Sequence, residues 1–133
     1  MSILEYLIGF TIFGAIFGLI DAVWLKNMRP LYDKELGSLL RAKPKMLPAV
    51  MFYGIYVVGS VVFVVVPAVQ ADVWWQGLVM GAIFGIVAYA TYDLTNLATL
   101  KNWSAKIALI DIVWGGVVTA IASAVVTWAL MQW

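Results

Sequence analysis

The stretch AKIALIDIVWGGVVTAIASAVVTWALM (residues 105–131) decides the fold class of this chain. Its only charged residues are Lys106 and Asp111, both near its start, and no polar face runs along it. A helix needs about 20 predominantly apolar residues to cross the hydrocarbon core of a bilayer. Three further segments meet this length, at residues 4–25, 49–69 and 73–97. The sequence therefore predicts four transmembrane helices.

The composition agrees with this prediction. Of the 133 residues, 65% are hydrophobic and only 11% are charged, whereas soluble domains are about 45–50% apolar and about 25% charged. The first segment lacks a basic start and a small-residue cleavage site, so it is not expected to be a signal peptide. We expect an all-α membrane protein: one domain over residues 1–133, folded as a compact four-helix bundle in a lipid bilayer.

The chain has no cysteine and no histidine. Thiol redox chemistry, disulfides, Cys/His zinc sites and histidine-ligated haem are therefore excluded. No cofactor, protein-held metal or nucleic-acid partner is expected.

The basic residues predict the orientation. They lie in the first and third connections or at the adjoining helix ends, whereas the N-terminus, the second connection and the C-terminus have none: Lys26, Arg29, Lys34, Arg41, Lys43, Lys45, Lys101 and Lys106. Loops rich in Lys and Arg stay in the cytoplasm. We therefore expect a multi-pass protein of the bacterial inner membrane with both termini on the non-cytoplasmic side.

The first connection is longer than a plain loop. Pro30 suits the start of a helix, and apolar residues follow it at helical spacing: Tyr32, Leu36, Leu39 and Leu40. This pattern predicts a short amphipathic helix lying on the inner leaflet. The alternative is that the basic residues there only set the topology.

A short repeat connects the first and third helices: GAIFGLI (14–20) and GAIFGIV (81–87). Duplication of a helical hairpin and chance both explain it. Each copy contains Gly-x-x-x-Gly, which lets helix backbones approach closely. Gly14 and Gly18 share a stripe with Asp21, so we expect Asp21 to continue a close-packing face. Such faces, in a thin bundle, also favour a homodimer.

Three aspartates, Asp21, Asp93 and Asp111, lie in the predicted cytoplasmic half of the spans. A carboxylate at mid-membrane costs about 2.5–3.5 kcal/mol on insertion scales, so each needs a hydrogen-bond donor, a proton or a bound cation. The repeated pentapeptides IDAVW (20–24) and IDIVW (110–114) place a tryptophan three residues after an acid on two helices. We interpret Trp24 as an interfacial residue and Trp114 as lining a ligand pocket or filling space.

Helical spacing predicts that further polar and aromatic side chains converge on the three aspartates: Tyr53, Tyr56, Tyr89, Tyr92, Asn96 and Trp114. Together these nine residues form the predicted ligand-binding site. The alternative is that they only make hydrogen bonds that hold the helices together.

Three stretches resemble an uncharacterised bacterial membrane family called domain of unknown function 2177: FYGIYVVGSVVF (52–63), YATYDLTNLATLKNW (89–103) and IDIVWGGVVTA (110–120). The family pattern falls on Asp21, Trp24, Tyr53, Tyr92 to Asn96, Asp111, Trp114 and Gly115. Where family members often have proline, this chain has Ser104, which is expected to weaken a helix start. The resemblance supports four spans and implies no activity.

Three functions fit the sequence. The first is a transporter-like or ligand-binding membrane protein for a proton, a cation or a small amphiphile. The second is a scaffold or accessory subunit whose polar residues are purely structural. The third is a lipid-modifying enzyme that uses carboxylates, although the chain has no nucleophile motif, no metal-type carboxylate spacing and no histidine.

Overall fold

The computed structural model describes all 133 residues and contains helices without strands. Its four long helices are α1 (Ile3–Leu36), α2 (Met46–Gln70), α3 (Trp74–Thr99) and α4 (Ala105–Leu130). All four are long and apolar enough to cross a membrane. The predicted four-helix membrane fold is therefore confirmed.

Helix α1 is longer than the sequence predicts. It begins at a capping box, in which the Glu5 N–H donates to Ser2 Oγ at 3.2 Å and the Ser2 N–H donates to Glu5 Oε2 at 2.6 Å. It ends before Gly37, whose φ of 50° suits glycine. Its 34 residues measure about 51 Å at ~1.5 Å per residue. The helix is thus longer than the ~30 Å hydrocarbon core.

The separate interfacial helix in the first connection is not confirmed. Helix α1 runs through Pro30 without interruption, and only a short 3₁₀ turn, Gly37–Leu39, follows it. Proline removes one backbone hydrogen bond, but its fixed φ is compatible with a helix. Tyr32 and Leu36, which the pattern assigns to the interfacial helix, are therefore part of α1, and Leu39 and Leu40 lie just after its end.

Helix α2 contains a π-helical turn, Val61–Val65, between two α-helical parts. The Val66 N–H donates to the Val61 carbonyl, five residues earlier. Pro67 follows directly and has no N–H to donate. The wider turn thus lies just before a proline, which cannot donate the backbone hydrogen bond that a regular α-helix would have at this position.

Helix α4 lies at the centre of the bundle. Half of the residues in its most apolar 18-residue segment are buried, a larger share than in any other helix. The core that it shares with α1 and α2 consists of ten residues: Phe13, Phe17, Tyr56, Val61, Val65, Val66, Val118, Ala122, Val126 and Leu130. Ser104 caps its start, because the Ile107 N–H donates to Ser104 Oγ at 3.2 Å. The expectation that serine weakens this helix start is therefore wrong.

Helices α3 and α4 pack with little space between their backbones. A Cβ atom added to Gly77 would lie 2.6 Å from Thr127 Oγ1, and one added to Gly81 would lie 2.8 Å from Ser123 Oγ. A Cβ atom on Gly85 would overlap the carbonyl oxygen of Gly115. We call this contact the α3–α4 seam.

The first copy of the repeat does not form such a contact. A Cβ atom on Gly18 would meet nothing within 4 Å, and one on Gly14 would only touch Val57 at 3.9 Å. The expectation that Asp21 continues a close-packing glycine face is therefore wrong. Asp21 follows Phe13 and Phe17 at four-residue spacing, and these rings form the buried stripe of α1.

Candidate functional site

The antiparallel order of the helices brings all eight basic residues to one end of the bundle, where α1 and α3 end and α2 and α4 begin. We call this the basic end. The three aspartates lie toward it, on three different helices. They differ most in how many hydrogen-bond donors reach their carboxyl groups.

Asp21 has a donor for each carboxyl oxygen. The Tyr53 hydroxyl of α2 donates to Oδ2 at 2.7 Å, and the Trp114 indole of α4 donates from Nε1 to Oδ1 at 3.1 Å. Only 8% of Asp21 is exposed. This carboxyl group therefore connects three helices through satisfied hydrogen bonds.

Asp111 has one donor. The Tyr32 hydroxyl, from the extended part of α1, donates to its Oδ1, and the Trp24 Nε1 donates to the same hydroxyl at 3.2 Å. Trp24 also stacks on Trp114, with ring centroids 4.1 Å apart and planes at 4°. The hydrogen bonds around Asp21 and Asp111 are thus joined by a pair of parallel indoles.

Asp93 has no donor. It is completely buried, and neither of its carboxyl oxygens accepts a hydrogen bond. The polar groups beside it are the Asp111 carboxyl and the Trp103 indole, whose buried N–H also lacks a partner. An unpartnered buried carboxyl is uncommon, because polar groups taken out of water are normally hydrogen-bonded.

The remaining predicted site residues are placed differently from one another. The buried Tyr56 hydroxyl hydrogen-bonds with Thr119 of α4, and the half-buried Tyr89 packs its ring on Gly115. Tyr92 is 59% exposed and lies edge-on against Trp103. Asn96 is half-buried, and no hydrogen bond joins its side chain to an aspartate.

Away from the basic end, the α3–α4 seam carries hydroxyl groups. Thr119, Ser123 and Thr127 are fully buried on α4 and face the glycines of α3. The hydroxyls of Ser123 and Thr127 have no hydrogen-bond partner. Closely packed helices with small and hydroxyl side chains are typical of membrane interfaces, so the seam holds α3 and α4 together beyond the aspartates.

The family model described as "Predicted membrane protein (DUF2177)" matches residues 6–128. The chain belongs to the DUF2177 family. No curated protein and no solved structure matches it. The resemblance in the sequence is thereby confirmed, and the DUF2177 assignment adds no activity to the geometry described above.

The sequence pattern does not find every contact residue of this DUF2177 site. It assigns Tyr32 to a separate surface helix, whereas Tyr32 lies in α1 and donates to Asp111. The interfacial position of Trp24 stays a prediction, and the sequence does not show that this residue stacks on Trp114. Because Asp21, Met28 and Tyr32 lie on one helical stripe, continuing α1 past Pro30 would have found Tyr32. Nothing in the sequence singled out Thr119 as the partner of Tyr56.

The geometry limits the chemistry of the DUF2177 site. No group of three or more acidic side chains lies close enough to hold one metal ion. Two carboxyl groups do lie side by side, Asp93 and Asp111, and the former still has both oxygens free. A pair of this kind can hold a proton or, with further oxygen ligands, a small cation.

Proposed function

We propose that this protein is a transporter-like or ligand-binding membrane protein that takes up a proton or a small cation at the Asp93–Asp111 pair. The observation that carries the proposal is the complete burial of Asp93 without any hydrogen-bond donor. Ionisable groups inside a membrane bundle are costly and commonly mark ion or proton paths. A ligand that neutralises this carboxyl would remove the cost.

The position of the pair supports the same function. It lies toward the basic end, which by the positive-inside rule faces the cytoplasm. The half-buried Tyr32 and Asp111 connect Asp93 to this end of the bundle. Beyond the pair, the α3–α4 seam leaves no space between the backbones. The site is therefore proposed to load and release its ligand at the cytoplasmic side.

A scaffold with purely structural polar residues is the second candidate. The observation in its favour is Asp21, which accepts hydrogen bonds from donors on two other helices and so holds three helices together. In this case Asp93 would serve only packing, and its replacement by the nearly isosteric asparagine would change stability alone.

Ligand-induced thermal stabilisation of the purified protein distinguishes the two. Wild type, Asp93→Asn and Asp72→Asn are heated in mild detergent over a range of pH and with Na⁺, K⁺, Mg²⁺ or Ca²⁺. Asp72 is exposed in the α2–α3 connection with φ of 57°, which asparagine tolerates. It is therefore the matched control.

A ligand that binds the folded state raises Tm, by mass action. We expect wild type and Asp72→Asn to share a rise in Tm, with acidification or with one cation, that Asp93→Asn lacks. If the Tm of all three proteins responds identically to pH and to every cation, the proposed function is wrong and the scaffold is favoured.

A further inference from the structure

Building on the proposed function, we infer that the ligand of the Asp93–Asp111 pair is a single proton shared by the two carboxyl groups, rather than a metal or organic cation. The inference names the bound species at the same site. It depends on three observations: the number of donors, the charges that face the pair, and the space around it.

The donors leave one position unfilled. Tyr32 serves one oxygen of Asp111, and the buried Trp103 N–H beside Asp93, which has no partner of its own, can serve one oxygen of Asp93. Each carboxyl group then still has an oxygen without a donor. A proton on one of these two oxygens makes it an O–H donor, and the free oxygen of the other carboxylate accepts this hydrogen bond. One shared proton therefore completes the hydrogen bonding of the pair.

No positive charge faces the pair. The only ion pair in the protein is Arg29–Asp33 at the surface, so no lysine or arginine nitrogen lies within 4.0 Å of Asp21, Asp93 or Asp111. The titratable groups that interact with the pair are acids and phenols from α1 and α3: Asp21, Tyr32, Tyr89 and Tyr92. A buried carboxylate without a counter-charge takes up a proton instead of remaining ionised.

The ligands and the space do not suit a larger cation. Ca²⁺ takes 6–8 oxygen ligands and Mg²⁺ takes six in a near-ideal octahedron, whereas no group of three or more acidic side chains comes close enough here to hold one metal ion. Trp103 presents an N–H donor, which cannot ligate a metal. The Tyr89 ring fills the space over Gly115 on the adjoining turn of the seam. A proton needs neither extra ligands nor a cavity.

Isotope-edited infrared spectroscopy tests the inference. Protein with ¹³C-labelled aspartate is placed in lipid nanodiscs at pH 7, and the carbonyl band of a neutral aspartic acid is measured in H₂O and D₂O. We expect such a band in wild type and in Asp72→Asn, and its loss in Asp93→Asn and in Asp111→Asn. If a variant fails to fold, wild type alone still tests the inference. Its spectrum should contain the band at pH 7 and lose it when the pH is raised.

Each result has a definite reading. No neutral-carboxyl band in wild type at pH 7, or a band that survives in both pair variants, overturns the shared proton. If the band is absent while a metal cation raises Tm in an Asp93-dependent manner, the proposed function stands and this inference fails. If neither the band nor any Asp93-dependent stabilisation is found, both fail.

Discussion

At the scale of single residues, the three aspartates differ in how many donors reach them. Asp21 has two donors, Asp111 has one and Asp93 has none. The same side chain at a similar depth is therefore suited to different tasks. Two satisfied oxygens favour a structural role for Asp21, and the two oxygens without a donor are the basis of the ligand site proposed at Asp93.

Replacing Tyr53 with phenylalanine tests the structural role of Asp21. The change leaves Asp21 Oδ2 without its donor, and hydrogen bonds between membrane helices contribute about 0.6 to 1.7 kcal/mol. We expect Tyr53→Phe to lower the free energy of unfolding by roughly this amount, measured by SDS titration in mixed micelles.

Tyr6→Phe is the matched control, because the hydroxyl of this half-buried tyrosine makes no hydrogen bond and its ring contacts Phe10. Its free energy of unfolding should stay within about 0.5 kcal/mol of wild type. Equal losses for the two variants would show that the Asp21 hydrogen bond adds nothing to stability.

Part of this site was predictable from the sequence and part was not. Helical spacing was enough to place Tyr53 on the inner face of α2, because the side-chain period of a helix is local. It could not show that Trp114 would donate to Asp21 while stacking on Trp24. That arrangement depends on the rotation of α1 and α4 about their axes, which only packing determines.

At the scale of helices, the two copies of the repeated GAIFG segment behave differently. Gly85 in α3 is in contact with the backbone of α4, whereas Gly18 in α1 faces open space. Identical local sequence thus produces a close contact only where a partner helix is present. The sequence could predict that backbones can approach at these glycines, but not which copy finds a neighbour.

Alanine substitution in the two copies measures this difference. In Gly85→Ala the new Cβ meets the Gly115 carbonyl oxygen, so α3 and α4 must separate, and overpacking of this kind costs about 1–3 kcal/mol. Gly18→Ala meets nothing and removes a poor helix former, so we expect no loss of stability. SDS-induced unfolding of both variants, followed by circular dichroism, measures this difference. A similar loss in the free energy of unfolding for both variants would contradict a close α3–α4 contact at Gly85.

The length of α1 shows how a single residue can mislead an inference about a whole helix. Pro30 is favourable at a helix start and also tolerable inside a helix. Tertiary contacts decide between the two, since Tyr32 reaches Asp111 and Glu35 accepts a hydrogen bond from Ser104 Oγ at 3.0 Å. Both contacts need the helix to continue, and neither is visible in the local sequence.

At the scale of the whole molecule, hydropathy and charge carry most of the predictable information. The four spans follow from the length of the apolar segments, which needs no knowledge of packing. The predicted orientation depends on the basic residues, all of which lie at one end. The order in which the helices pack, with α4 central, depends on contacts between distant segments and was not predicted.

Cysteine labelling tests the orientation. The chain has no cysteine, so Ser38→Cys in the first connection and Ala71→Cys in the second each introduce a single exposed thiol. By the positive-inside rule, a membrane-impermeant maleimide should label Ala71→Cys in intact cells and Ser38→Cys only after permeabilisation. The reverse pattern would place the basic end outside and would move the proposed loading side with it.

The π-helical turn of α2 lets this helix hold an extra residue without turning Tyr53 away from Asp21. A π-helical turn holds one residue more than the α-helical turn that it replaces, so it absorbs a one-residue insertion within a single turn. Removing one residue from a regular α-helix rotates the two flanking parts by about 100° relative to each other. Deleting Val62, which is exposed, would instead convert Val61–Val65 to an ordinary α-helical turn and leave both halves of α2 at nearly the same rotation. A single-residue deletion within this turn should therefore leave the hydrogen bond between Tyr53 and Asp21 in place.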